Sequence, residues 1–206
     1  IAARNFADIA AMGALPMGFT LSLTAPASTD VSWVLELIEG INDECRRAGA
    51  AFLGGDTSAG DAVVLVGSAI GDMRGMAPVR RSGAKPGDVL AVHGRLGCAA
   101  AGLAQLRRGH DIGDCVAVQV QPQPDYAAAR AASGLATSMI DTSDGLIVDA
   151  AHLARSSTVN INVRRDDISI DNCLRAAADE LHVDVWHWVL AGGEDHAFLA
   201  TFSDES

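Results

Sequence analysis

The chain has 206 residues, 49% of them hydrophobic, enough to bury a sizeable core in one large domain or two small ones. Charged residues make up 20%, which argues against intrinsic disorder, and 15 basic against 26 acidic residues leave a net charge of -11. Such a surface does not suit the backbone of DNA or RNA, which calls for clustered cations; it is better matched to metal ions. No apolar run of about 18 residues is present, so no helical membrane span is predicted.

The spacing of apolar residues predicts a helix over Ala2–Met12, stopped by Gly13, then a half-buried strand over Phe19–Thr24. Asp30 is placed to cap a helix running to about Arg47. Ala51–Leu53 is a short apolar run entering Gly54-Gly55-Asp56-Thr57, and Ala62–Ile70 reads as a strand. This order suits an α+β layer. Arg80–Asp88 is the most loop-like stretch and the expected domain boundary. Beyond it come a strand over Val89–His93 and helices over Gly97–Arg108 and Pro124–Ser133. A strand over Ser138–Ile140 leads through Asp141-Thr142-Ser143-Asp144-Gly145 into a helix over Leu146–Arg155. Val159–Val163 reads as a strand, Asp171–Leu181 as a helix and His196–Phe202 as a closing strand. Because the chain opens with Ile1 inside a helical pattern, it reads as a piece of a longer protein.

Chemistry-bearing residues concentrate at a few of these junctions. Asp141 and Asp144 stand three residues apart at a strand-to-helix turn, where two carboxylates can converge on one hard cation. Ser143 and the free N–H groups of the following helix could meet phosphate oxygens, or the same residues could simply cap that helix. Gly54-Gly55-Asp56-Thr57 and Gly192-Gly193-Glu194-Asp195 each read either as ordinary tight turns or as places where backbone approaches phosphate beside an acid. Asp8 lies near the apolar face of the first helix, a costly position for a carboxylate unless it is paired, metal-bound or turned to solvent. Arg80 and Arg81 could clamp a phosphate or remain solvated. Among the six histidines His196, beside the acidic pair, is the one placed to matter.

Lys85 is the only lysine, hence the single candidate for any mechanism that needs one. Cys45, Cys98, Cys115 and Cys173 lie far apart without metal-ligand spacing and read as isolated reduced thiols of a cytosolic core. No GxxxxGK[ST] loop, protein-kinase HRD or DFG signature, or GxSxG elbow occurs. Phosphoryl transfer would then rest on metals bridged to Asp8, Asp56, Asp141 and Asp144.

Taken in order, Asn5-x-x-Asp8-x-Ala10-Ala11-Met12-Gly13-Ala14-x-Pro16, Gly54-Gly55-Asp56-Thr57, Arg81–Asp88, Ile140–Leu146 and Gly192–Asp195 resemble the thiamine-monophosphate kinase family along essentially the whole chain. The resemblance implies a PurM-like, two-domain α/β (α+β) fold of the aminoimidazole-ribonucleotide synthetase superfamily. Residues 1–82 would be the remainder of an N-terminal α+β dimerisation domain, and 83–206 a C-terminal α/β domain truncated at its end. It implies ATP-dependent phosphorylation of thiamine monophosphate to thiamine diphosphate in a cytoplasmic homodimer, with Mg2+ as cofactor and K+ allowed as a further cation. Neither nucleic acid nor membrane is an expected partner. Asp8, Asp56, Asp141 and Asp144 would bind magnesium; Gly55, Asp56, Arg81 and Ser143 would contact ATP; and Glu194 would contact the thiamine phosphate. In-line attack by an already ionised phosphate needs no catalytic base, and none is assigned.

Two departures stand out. Pro122-Gln123-Pro124-Asp125 occupies a place where the family often has Pro-x-Pro-Arg, and His196 replaces the usual aromatic. The alternatives are another PurM-like ATP-dependent synthetase, of purine-biosynthesis or selenophosphate-synthetase type, or a non-catalytic nucleotide-binding relative.

Overall fold

The computed structural model describes residues 1–204 and arranges them as two three-stranded sheets, each backed by helices. The first sheet is built from β1 (Leu15–Ala25), β2 (Ala51–Ala59) and β3 (Val64–Asp72) in the order β2-β1-β3. β1 pairs in parallel with β2 and antiparallel with β3. The β1–β2 crossover is helix α2 (Val31–Ala48), capped as expected by Asp30, whose side chain accepts the Ser32 N–H at 2.9 Å.

Alternation along β1 turns Phe19, Leu21 and Leu23 inward against α1 (Ala2–Ala11) and α2. The opposite face is left bare, with Leu53, Val64, Val66 and Ile70 between 49% and 58% exposed. Gly54-Gly55-Asp56-Thr57 is not a turn but the middle of β2, with its register shifted against Phe19–Leu21. A Cβ on Gly55 would lie 1.7 Å from the Leu21 carbonyl oxygen, so glycine is demanded there by close strand approach.

The second sheet has the order β4-β6-β5, from β4 (Val89–His93), β5 (Ala136–Asp141) and the central β6 (Phe198–Phe202), all neighbours antiparallel. Helices α3 (Cys98–Leu106), α4 (Asp114–Val120), α6 (Leu146–Ser157), α7 (Asn172–Leu181) and α8 (Val185–Ala191) enclose its core, around Leu153, Leu174, Val189 and Leu199. Helix α5 (Tyr126–Ala132) instead packs toward the first sheet, where Tyr126 stands edge-on to Phe6.

Three local expectations are corrected. Val159–Val163 forms no strand: Ile161 and Val163 pack against the second core without a ladder partner, so their alternation reports a buried face only. Asp114–Val120 and Val185–Ala191, left unassigned by pattern, are helices; their β-branched and aromatic residues lower helix propensity, and tertiary packing overrides it. Cys98, Cys115 and Cys173 are not isolated, since their sulfur atoms all lie within 4.8 Å of one another. Asp125, which stands where the family often has arginine, caps α5 through the Ala128 N–H at 3.0 Å and meets His93 Nε2 at 3.0 Å.

Candidate active site

β5 ends at Asp141, and the next two residues are zippered to the loop that precedes β6. Thr142 N–H donates to the Ala197 carbonyl at 2.7 Å, His196 N–H to the Thr142 carbonyl at 3.0 Å, and Glu194 N–H to the Ser143 carbonyl at 2.9 Å. The approach is so close that a Cβ on Gly193 would stand 2.5 Å from the Ser143 carbonyl oxygen. A Cβ on Gly145, at φ +107°, would stand 2.9 Å from the Ala191 carbonyl carbon. The glycines of both motifs thus serve first to let two loops share one backbone seam.

The seam gathers carboxylates. Asp141 and His196 are each only 3% exposed, and His196 Nδ1 meets Asp141 Oδ2 at 3.1 Å. The other ring nitrogen points to Glu194 Oε2 at 3.6 Å, beyond hydrogen-bond reach, and is a buried polar atom without a hydrogen-bond partner among the described residues. Glu194, at φ +69°, is gripped from α1 by the Arg4 guanidinium. Asp141 also lines a cavity of about 610 Å³ together with Asp8 of α1 and Arg81. Partial burial, and next the Asp141 carboxylate, push the Asp8 carboxyl above its ordinary range, while Arg81 and His196 pull it back.

Asp144 stands exposed at the start of α6, its carboxylate grouped with Asp149 and His152 within 4.8 Å. Asp149, which the motif reading passed over, is buried beneath the turn and accepts the Asp144 N–H at 3.1 Å. Burial pushes its carboxyl up to about 6. The signal was available: an acid in the first turn of a helix entered through Asp-Gly.

Asp195 was also passed over as a separate actor. It reaches across to α3, whose N-cap residue is Gly97, and accepts the Gly97 and Ala99 N–H groups at 2.5 and 2.9 Å. Arg81 is held by its backbone: Ser157 Oγ donates to the Arg81 carbonyl and accepts the Gly83 and Ala84 N–H groups, each at 3.1 Å.

Asp8, Arg81, Asp141 and Glu194 are therefore drawn together, with Ser143 and Asp144 on the adjoining turn. Asp56 and Gly55 are not. Asp56 is register-paired with the exposed Ser22, which puts it on the bare face of the first sheet, and no hydrogen bond or ion pair joins it to the other aspartates among the described residues. Lys85 sits in a turn closed by its own N–H on Asp88 Oδ2 at 2.9 Å.

The donor set suits a hard divalent cation. Asp8 and Asp141 line one cavity and Asp144 stands on the adjoining turn, all three offering carboxylate oxygens, with no lysine or cysteine among them.

Residues 1–73 match the family described as AIR synthase related protein, N-terminal domain. The thiamine-monophosphate kinase of Mycobacterium tuberculosis is 44% identical over 203 residues, covering 97% of this chain and 61% of that protein. The chain thus spans about three-fifths of the length of this relative. Among solved structures, the thiamine monophosphate kinase of Aquifex aeolicus superposes with a TM-score of 0.93 at 27% identity, over 99% of this chain and 70% of that one. AaThiL complexed with AMPPCP and TMP superposes equally well at 28% identity, over 98% of this chain and 66% of that one. In sequence along nearly all its length and in its PurM-like α/β fold, the chain is similar to the thiamine-monophosphate kinases.

Proposed function

We propose that the protein of which this chain forms the described part transfers the γ-phosphoryl group of ATP to thiamine monophosphate, giving thiamine diphosphate. The observation that carries this reading is the convergence of Asp8, Arg81 and Asp141 on one cavity, with Asp141 bonded to His196 at 3.1 Å and Glu194 on the same loop. AaThiL, so similar in fold, binds AMPPCP and TMP, which supports the same pair of ligands here.

Magnesium, when bound, supplies the positive charge that lets two phosphate anions approach. Asp8, Asp141 and Asp144 would hold it. Arg81 offers a planar fork of donors to the nucleotide phosphates, and Ser143 presents its hydroxyl beside the start of α6. Glu194, held by Arg4, is the anchor for thiamine monophosphate. No residue need remove a proton, because the acceptor phosphate is already ionised at neutral pH.

Residues 1–82 and 83–206 are read as the two PurM-like units, meeting where Met139 N–H donates to the Arg80 carbonyl at 3.1 Å. The bare apolar face of the first sheet supports a homodimer made through the N-terminal unit. Covering that face with a second copy would enclose Gly55 and Asp56, which the isolated chain leaves in the open. A cytoplasmic location is part of the same reading.

The test is ADP release by the full-length protein with ATP and magnesium. Thiamine monophosphate should stimulate it and free thiamine should not, since thiamine has only a hydroxyl at the reacting position. Asp144→Asn should abolish turnover with the thermal melt unchanged. Comparable phosphorylation of free thiamine, or near-normal turnover by Asp144→Asn, would overturn the assignment.

A further inference from the structure

Outside this site, three thiols meet where helices pack. Cys98 is the first residue of α3, Cys115 the second of α4 and Cys173 the second of α7. Their positions 98, 115 and 173 have no spacing that sequence would flag; helix packing alone unites them. Gly102 is what permits it, since a Cβ there would stand 2.1 Å from the Cys115 carbonyl oxygen and hold α3 and α4 apart.

The three sulfurs lie close enough to share one ion, all within 4.8 Å of one another, with Asp171 beside Cys98 and outside that group. Cys115 and Cys173 sulfurs are 3.6 Å apart, and Cys98 Sγ lies 3.6 Å from Asp171 Oδ2. A tetrahedral ion with zinc's usual bond length to thiolate sets sulfur–sulfur edges of about 3.8 Å. Arg95 closes the cluster from outside, its Nε 2.5 Å from Asp171 Oδ2 and its Nη2 2.6 Å from Cys173 Sγ. That is the placement of an outer cation that orients ligands and offsets their charge. Access exists too: Cys115 and Cys173 line a pocket of about 360 Å³ whose wall carries Asp114 and Glu180, acids that favour entry of a cation.

We propose that Cys98, Cys115 and Cys173 form a structural site for a thiophilic divalent cation of the zinc class, distinct from the hard-cation site at Asp8, Asp141 and Asp144. On binding, the three thiol protons pass to water and the thiolates become ligands. The ion ties α3, α4 and α7 together at one point. It also steadies the start of α3, where Gly97 and Ala99 hold Asp195 beside Glu194.

The experiment uses the full-length protein, reduced and stripped with a chelator, with excess magnesium present to fill the carboxylate site. Cobalt(II) should bind at one equivalent per chain, with a thiolate-to-cobalt charge-transfer band and tetrahedral ligand-field bands that zinc then bleaches. Cys173→Ser, at the half-buried position, should weaken the bands and lower zinc affinity by more than the ~10–100-fold usual for losing an outer-shell partner. Cys45→Ser, in the other core, should change neither. Absence of the charge-transfer band in the wild type would overturn the proposal, as would equal loss in Cys45→Ser. So would oxidation of Cys115 and Cys173 to a disulfide by peroxide in protein that takes up no cobalt or zinc.

Discussion

Asp195 is a buried acid whose hydrogen bonds among the described residues cap a helix from another part of the chain, and replacing it isolates that arrangement. Asp195→Ala leaves the Gly97 and Ala99 N–H groups buried without an acceptor, at about 1–3 kcal/mol each. Against this stands the burial that raises the carboxyl from 3.8 to about 6. At about 1.4 kcal/mol per pKa unit, ionising it at neutral pH costs roughly 3 kcal/mol, which the alanine variant no longer bears. Two such groups cost about 2–6 kcal/mol, so the net loss should be at most about 3 kcal/mol, or up to ~10 °C in Tm for a chain of this size.

Asp195→Asn keeps one acceptor and sheds the charge, so it should fall within about 1 kcal/mol of wild type at pH 7. A raised folded-state pKa means that the contribution of Asp195 is fully present below 3.8 and is lost as pH rises through about 6. Between pH 7 and pH 5 wild type should therefore gain roughly 1 kcal/mol relative to Asp195→Asn. Urea unfolding of the three proteins at both pH values measures every term. If the asparagine variant falls as far as alanine, or its difference from wild type does not change with pH, the account of a costly buried charge capping α3 is wrong.

Gly193→Ala forces a Cβ to within 2.5 Å of the Ser143 carbonyl oxygen and should cost about 1–3 kcal/mol in urea unfolding as the two loops part. Ser157→Ala removes one donor and two acceptances from the Arg81–Ala84 loop; it should raise KM for ATP more than it lowers kcat, with a stability loss of about 1–2 kcal/mol. Val66 is 56% exposed on the bare sheet face, so Val66→Asp should leave the fold of the single chain within ±0.5 kcal/mol while converting a dimer to monomer in light scattering. A monomeric wild-type protein at micromolar concentration would refute the dimer reading.

Most elements were legible because local rules and tertiary packing agree for them. The Asp30 cap, the apolar alternation of β1 and the loop at Arg80–Asp88 each carry their signal within a few residues. Helices α4 and α8 were not legible, because Val116, Val118, Val185 and the two tryptophans pull local preference toward strand. Ile161 and Val163 misled in the opposite direction, since an alternating buried face does not require a ladder. In the site, Asp8, Asp141, Asp144, Arg81 and Glu194 could be named from short motifs, whereas Asp149, Asp195 and Ser157 could not be ranked above other capping residues.

The sequence by itself determined the residue types and their order: carboxylates in short motifs, glycines beside most of them, and a single lysine. Only the tertiary structure decided which of these meet. The β4-β6-β5 order joins Asp141 to His196 across a backbone seam, because antiparallel neighbours set residues 55 positions apart side by side. The same sheet logic sends Asp56 to the bare face with Ser22, since side chains paired in register share a face. Three cysteines without sequence spacing converge because helix packing, unlike a motif, places no limit on separation along the chain.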